Sequence, residues 1–197
     1  MVRVESSRLT VNLPNSLTVA RIFLVPLLVV VLLTNFPEWR PFGVSKELLG
    51  AAIFGIAALT DWLDGYLARR RKQVTGFGQW MDPLADKMLI MAALVSLVQM
   101  NMAPAWMAAV IVGREFFVTV LRIIAHTRGQ ALPASPLGKV KLVVQVIAIL
   151  ILILAYGDRA RYLMLGLVAL WIAMLTALVS AADYYRRFNA VPSKPTV

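Results

Sequence analysis

Residues 48–100 read LLGAAIFGIAALTDWLDGYLARRRKQVTGFGQWMDPLADKMLIMAALVSLVQM, two apolar runs joined by a basic turn. Each run is close to the roughly 20 apolar residues that a helix needs to cross a bilayer. The turn contains Arg70, Arg71 and Lys72, which are costly inside a membrane and favourable at its surface. This stretch therefore predicts a hairpin of two transmembrane helices whose turn lies at one membrane face.

Apolar runs of this kind recur along the whole chain. Of its 197 residues 60% are hydrophobic, compared with roughly 45–50% in a soluble domain. We predict a single all-α membrane domain over 1–187, with residues 1–14 on the membrane surface and 188–197 in a loose tail. The domain is expected to be a six-helix transmembrane bundle around a polar cavity, with spans at 17–35, 48–69, 79–100, 103–125, 140–156 and 161–185.

The basic residues predict the orientation of this bundle. Twelve lysines and arginines lie at the ends that include both termini and the 70–77 and 127–138 connections, and four lie at the opposite ends. Cytoplasmic loops carry the excess of such residues. We therefore expect a multi-pass protein of the inner membrane, with both termini and the cavity facing the cytoplasm. These loops also explain the net charge of +10, so nucleic-acid binding is not expected.

Some kinds of site are excluded by composition. The chain contains no cysteine, which rules out disulfides, thiolate metal ligands and a cysteine nucleophile. Its single histidine is His126, which argues against a histidine metal cluster or a catalytic triad.

Four aspartates cluster at the predicted hairpin. Asp61 and Asp64 lie near the end of the second span, and Asp82 and Asp86 lie in the first turns of the third. Spacings of three and four residues place each pair on one helix face. Four close carboxylates need neutralising charge, and oxygen ligands suit Mg²⁺ or Mn²⁺ better than Zn²⁺. The pattern predicts a divalent metal site; the alternative is a belt of surface ion pairs with neighbouring arginines and lysines.

The spacing of these aspartates also resembles a known signature. Residues 61–69, DWLDGYLAR, are followed after eight residues by 78–86, GQWMDPLAD. They match D-x2-D-G-x2-A-R-x8-G-x3-D-x3-D, the signature of the CDP-alcohol phosphotransferase family, at every fixed position. The resemblance implies a membrane enzyme that transfers the phosphatidyl group of CDP-diacylglycerol to an alcohol.

The resemblance also assigns roles to individual residues. It implies that Asp61, Asp64 and Asp82 bind two Mg²⁺ or Mn²⁺ ions. It implies that Asp86 is both a metal ligand and the general base that takes the proton of the acceptor hydroxyl. The remaining positions are matched to contacts with the donor or its nucleotide: Gly65, Ala68, Arg69 and Gly78.

Three stretches outside the signature indicate which acceptor alcohol is expected. Residues 15–21, 113–115 and 136–141 read NSLTVAR, GRE and PLGKVK. They resemble the branch of the family whose acceptor is glycerol 3-phosphate, which gives phosphatidylglycerophosphate and CMP. The resemblance further implies a homodimer. Serine or inositol phosphate is the alternative acceptor.

Cations outside the signature are candidates for binding phosphate. We expect Arg114, Arg122, Lys139 and Lys141 to bind the phosphate of the acceptor, and Arg21 to contact the donor phosphates. Each has a plainer alternative. Arg114 could form an internal ion pair that fixes helix packing, the two lysines could anchor a helix end, and Arg21 could extend to the membrane surface.

Two other classes of membrane protein use buried carboxylates. Membrane prenyltransferases also bind pyrophosphate through aspartates and magnesium, but on well-separated helices. Here all four aspartates fall within 26 residues. A cation transporter would place its carboxylates near the bilayer midplane. Those of this chain lie at a helix end beside basic residues, so both classes are less favoured.

Overall fold

The computed structural model is all-α, as the apolar runs predict. The backbone is described at 13–34, 44–71, 76–128, 136–157 and 159–190; the side chains at 13–19, 61–71, 76–86, 126, 136 and 159–161 lie outside the described residues. The described chain forms six helices: α1 Leu13–Leu33, α2 Lys46–Arg71, α3 Gly76–Gln99, α4 Ala105–Thr127, α5 Pro136–Ala155 and α6 Arg159–Ala190.

Three helix boundaries differ from the predicted spans by four or more residues. Helix α1 begins four residues early, with Pro14 in its first turn, and α5 begins at Pro136 instead of residue 140. Proline is tolerated in a first turn because its missing N–H would have no helical partner there. Helix α6 continues to Ala190, so residues 188–190 of the predicted loose tail are helical. Phe188 lies 5.3 Å from the guanidinium of Arg128, which holds this last turn.

A tight turn connects α3 to α4. Asn101 adopts a left-handed conformation, with φ of 55°. The Met102 N–H donates to the Leu97 carbonyl at 2.8 Å, and the Asn101 N–H donates to Val98 at 3.0 Å. This pair of bonds is the Schellman arrangement that satisfies the last carbonyls of a helix. The turn reverses the chain, and α4 packs back against α3.

Small residues set the closest helix contacts. A Cβ built on Gly50 of α2 would lie 2.6 Å from Leu32 Cδ2 of α1, and one on Gly166 of α6 would lie 2.5 Å from Leu152 Cδ2 of α5. Glycine at such positions lets two backbones approach closely. Leu32 lies in the last turn of α1 and Gly50 lies in the second turn of α2, so the two helices pack antiparallel.

The α2–α3 hairpin is surrounded by other helices. It contacts α1, α4 and α5, while α6 packs on α4 and α5. All six helices contribute to one buried apolar core, for example through Leu28, Phe54, Leu94, Met107, Ile149 and Leu170. The α2–α3 hairpin is therefore packed against three neighbouring helices, α1, α4 and α5.

The outer surface of the bundle is apolar. Large hydrophobic side chains are exposed on every helix, including Phe23 and Met164 at 71% each. A soluble monomer rarely exposes a continuous surface of this kind. Among the described residues, two segments are long and apolar enough to cross a membrane, Leu137–Ala155 and Tyr162–Ala190. These features agree with the membrane expectation, while the crossing of the other helices stays a prediction.

Candidate active site

The signature residues lie at the facing ends of α2 and α3. Asp61 and Asp64 fall in the C-terminal half of α2, and Asp82 and Asp86 fall in the first turns of α3. Residues 72–75 connect the two helices, and each pair lies within about three helical turns of that connection. The helical backbone keeps each pair on one face. The side chains of these aspartates lie outside the described residues, as do those at positions 65, 68, 69 and 78.

The chemistry of this donor set fits a hard divalent cation. Carboxylate oxygens are the ligands that Mg²⁺ and Mn²⁺ prefer. Zinc is usually held by cysteine or histidine. This chain has no cysteine and one histidine, His126. Magnesium or manganese therefore stays the prediction for the hairpin.

Arg21 of α1 is buried at the level of the aspartates. It lies eleven residues before Leu32, and Asp61 lies eleven residues after Gly50. Since Leu32 meets Gly50 across an antiparallel pair, Arg21 and Asp61 are at about the same height. The Arg21 side chain is only 1% exposed, which disagrees with a guanidinium that reaches the membrane surface. Its expected role beside the donor phosphates stays a prediction.

Arg114 connects α4 to α6. Its Nε donates to the Ala177 carbonyl at 3.0 Å, and its Nη2 donates to Ser180 Oγ at 2.7 Å. Its Nη1 donates to Glu115 Oε1 at 3.0 Å. The residue is 7% exposed. These contacts agree with the packing interpretation of Arg114, because three of its donors are already engaged within the protein.

Glu115 joins three helices. Its Oε1 also accepts a hydrogen bond from Lys141 Nζ of α5. Its carbonyl accepts one from Thr119 Oγ1 at 2.7 Å, and Thr119 Oγ1 in turn accepts one from Lys87 Nζ of α3. We call this group the Glu115 network; its members are Lys87, Arg114, Glu115, Thr119, Lys141 and Ser180.

A small cavity of about 20 Å³ adjoins the network between α3, α4 and α5. Its polar wall is formed by Lys87, Glu115, Lys141 and Gln145. Gln145 is 1% exposed, and its Nε2 has no hydrogen-bond partner within the part of the chain that the structure describes. A space of this size holds about one water molecule, which could satisfy such a donor.

Arg122 of α4 and the first turn of α5 both reach Tyr184 of α6. Arg122 Nη2 donates to the Tyr184 hydroxyl at 3.2 Å, and its guanidinium lies 5.7 Å from the ring centroid. The first turn of α5 reaches the same ring, because a Cβ built on Gly138 would be 3.9 Å from Tyr184 Cε2. Lys139 follows in that turn. Arg122 and Lys139 are both exposed, whereas Lys141 is buried.

Several polar residues of the site were not assigned a role from the sequence. The sequence could have pointed to three of them, because each is a polar residue within an apolar run: Lys87, Gln145 and Ser180. Tyr184 gave no such signal, because a tyrosine near a helix end is ordinary at a membrane interface. Asp183 of α6 forms an ion pair with Arg187 at 3.0 Å.

Comparisons with known proteins identify the family. The CDP-alcohol phosphatidyltransferase family matches over residues 11–179. A "CDP-diacylglycerol--glycerol-3-phosphate 3-phosphatidyltransferase" of Bacillus subtilis is 43% identical over 184 residues, covering 89% of this chain and 94% of the relative. Proteins of the same name are 35% identical in Rickettsia bellii, covering 89% and 94%, and 36% identical in Pseudomonas fluorescens, covering 89% of both chains. The resemblance seen in residues 61–86 is thereby confirmed, and the chain belongs to the CDP-alcohol phosphatidyltransferase family of membrane enzymes.

Proposed function

We propose that this enzyme transfers the phosphatidyl group of CDP-diacylglycerol to sn-glycerol 3-phosphate, forming phosphatidylglycerophosphate and CMP. The names of its relatives support this reaction. The structural observation that carries it is the convergence of Arg122 and the first turn of α5 on Tyr184. That convergence gives a second cationic site, separate from the aspartate hairpin, on helices that pack against it.

The distribution of charge favours an acceptor that carries its own phosphate. The donor pyrophosphate is served by the aspartate hairpin with its metal ions, by Arg69 and by Arg21. Arg122 and Lys139 are exposed and are therefore available to a second anion. Charge-assisted bonds to phosphate are roughly twice as strong as neutral ones. Serine has no phosphate to use them, and inositol phosphate is disfavoured by the names of the relatives.

We assign Arg114 and Lys141 an indirect role in this second site. Both are buried and both bind Glu115, so we propose that they contribute positive potential and hold the helices in place. Arg122 and Lys139 then make the direct contacts with the acceptor phosphate. This division refines the expectation that all four cations bind the acceptor in the same way.

The proposed chemistry is a single displacement at phosphorus. Asp86 takes the proton of the acceptor hydroxyl, whose oxygen forms a bond to the phosphorus that carries diacylglycerol. The bond between that phosphorus and CMP breaks, and CMP leaves. Two Mg²⁺ or Mn²⁺ ions, held by Asp61, Asp64, Asp82 and Asp86, would neutralise the charge on the phosphoryl oxygens. Gly65, Ala68 and Gly78 would leave room for the nucleotide.

The proposed setting is the inner membrane, with six spans and with both termini and the active site on the cytoplasmic side. The twelve basic residues at one set of helix ends and the apolar outer surface support this orientation. The lipid donor lies in the bilayer, and glycerol 3-phosphate comes from the cytoplasm. We also propose a homodimer, as the family resemblance implies.

An acceptor panel tests the proposal. Purified protein receives CDP-diacylglycerol, Mg²⁺ and, in separate reactions, glycerol 3-phosphate, serine or inositol phosphate at equal concentration. We expect lipid product from glycerol 3-phosphate alone. Faster transfer to serine or inositol phosphate would reject glycerol 3-phosphate as the acceptor. Product from an isoprenyl diphosphate, or cation flux in vesicles without any lipid product, would replace the proposed enzyme class.

A further inference from the structure

We propose that Glu115 is a positioning residue for the acceptor site: its partly buried carboxylate binds Lys141 and so ties the start of α5 to α4, which sets where Lys139 meets the acceptor. This inference rests on the proposed function. It adds to that function a residue that touches neither substrate and acts through Lys141 and Arg114.

The contacts of Glu115 make it the centre of its network. One oxygen, Oε1, accepts hydrogen bonds from Arg114 on its own helix and from Lys141 on α5. Arg114 extends this connection to Ser180 of α6. The main-chain carbonyl of Glu115 accepts a hydrogen bond from Thr119 Oγ1, which in turn accepts one from Lys87 Nζ of α3. Glu115 is therefore bonded to α5 directly, to α3 through Thr119 and to α6 through Arg114, by polar groups that are buried or partly buried.

Both ends of this linkage reach the proposed site. Lys87 directly follows Asp86, the proposed base, on α3. Lys141 lies two residues after Lys139, in the first turns of α5. A shift of the start of α5 relative to α3 and α4 would change the distance between Lys139 and the α3 aspartates. Catalytic geometry is sensitive to such shifts, since a misplacement of about 1 Å can reduce a rate by about 100-fold.

Charge explains why the position of α5 depends on this carboxylate. Lys141 and Arg114 are buried, with 6% of each side chain exposed, and Glu115 is 16% exposed. Removing one partner of a buried ion pair leaves the remaining charge poorly compensated, which is strongly unfavourable. Without the negative charge of Glu115, the Lys141 ammonium is expected to move away from α4 and to take the start of α5 with it.

The test separates positioning from simple stabilisation. Four variants are made: Glu115→Gln, Lys141→Met, the double variant and Glu115→Asp. For each, thermal stability in detergent is measured together with KM for glycerol 3-phosphate and KM for CDP-diacylglycerol. We expect Glu115→Gln to raise the acceptor KM by roughly tenfold or more, the size of a lost charged hydrogen bond. The donor KM should change by less than about twofold, well below that size.

The double variant decides the question. Removing both charges relieves the uncompensated lysine, so stability should return toward that of the wild type, while the acceptor KM stays high because α5 is no longer tied to α4. Recovery of both quantities would show a purely structural pair and would overturn the proposal. If Glu115→Gln does not fold, Glu115→Asp keeps the charge but shortens the reach, and an unchanged ratio of the two KM values would equally overturn it.

Glu47 provides the matched control. It is a carboxylate in the first turn of α2, fourteen residues from Asp61 and near Gly157. At 1.5 Å per residue it lies about 21 Å along the helix from the aspartates. Glu47→Gln should leave both KM values unchanged. The wild-type enzyme tests the proposed function separately, because a preference for another acceptor would reject glycerol 3-phosphate as the substrate. The ratio of acceptor KM to donor KM would then be measured for the Glu115 variants with the preferred acceptor.

Discussion

The aspartate hairpin and the Glu115 network differ in how they are encoded. The hairpin takes its four carboxylates from two consecutive helices, α2 and α3, and helix spacing is enough to place each pair on one face. The network joins residues that are 26 positions apart, as in Lys141 with Glu115, or 66 apart, as in Arg114 with Ser180. Local chemistry can therefore be inferred from spacing, whereas a site shared among helices depends on which faces meet.

Removal of metal should have the largest effect, and it acts on the hairpin alone. Four clustered carboxylates without cations would repel each other and the donor pyrophosphate. We expect activity to disappear when a chelator is added and to return with Mg²⁺ or Mn²⁺. Thermal stability should change little, because the Glu115 network contains no proposed metal ligand. Full turnover in metal-free buffer would eliminate the hairpin as a metal site.

Substitution of the proposed base should come next. Asp86→Asn keeps the shape of the side chain but removes its ability to take a proton. We expect turnover to fall by at least about 100-fold, the usual contribution of a general base. Binding of CDP-diacylglycerol should be partly retained. Near-normal turnover would contradict both the base role and the ligand role, and the pH–rate profile of the variant would help to separate the two.

The two arginines of α4 should separate substrate binding from helix packing. Arg122 is exposed beside Tyr184, and Arg114 is buried against α6. Arg122→Ala should raise KM for glycerol 3-phosphate by roughly tenfold with little change in the donor KM. Arg114→Ala should instead destabilise the fold by about 3 kcal/mol, because it leaves Glu115 and Ser180 with fewer partners. Lys139→Ala should behave like Arg122→Ala.

Two results would contradict the assignment of Arg122 to acceptor binding and of Arg114 to helix packing. Parallel changes in both KM values for Arg122→Ala would make it a packing residue. A raised acceptor KM at unchanged stability for Arg114→Ala would restore the simpler expectation that this residue contacts the acceptor directly.

Two glycines give the smallest and most local test. A Cβ at Gly166 would lie 2.5 Å from Leu152 Cδ2 and 2.9 Å from its Cγ, whereas a Cβ at Gly113 has nothing within 4 Å. Gly166→Ala should destabilise the α5–α6 pair by about 1–3 kcal/mol. Gly113→Ala should stabilise α4 by about 0.5–1 kcal/mol. Equal stability of the two variants in thermal denaturation would show that α5 and α6 are not packed this closely.

The sequence predicted the all-helical fold class and the family well, for a physical reason. Apolar runs long enough to span a membrane can form little other than helices, and the fixed spacing of the signature needs only one turn to bring its residues together. Six helices and the family are confirmed. The start of α5 was placed too late, because Pro136 and Gly138 look like turn residues although both lie within its first turn.

The roles of individual cations could not be separated from the sequence. Lys139 and Lys141 are two residues apart and chemically identical, yet one is exposed and the other is buried against Glu115. Helical rotation turns them to different sides, but only the arrangement of the neighbouring helices shows which side is internal. Arg21 is similar, since its burial depends on α1 packing against both helices of the hairpin.

The most direct test of the central claim is the stoichiometry of one reaction. Purified protein is given CDP-diacylglycerol and labelled glycerol 3-phosphate, and the labelled lipid and the released CMP are measured together with and without Mg²⁺. We predict equal amounts of the two products, both dependent on the acceptor and the metal. Release of CMP without labelled lipid, or labelled lipid without CMP, would contradict phosphatidyl transfer at the aspartate hairpin.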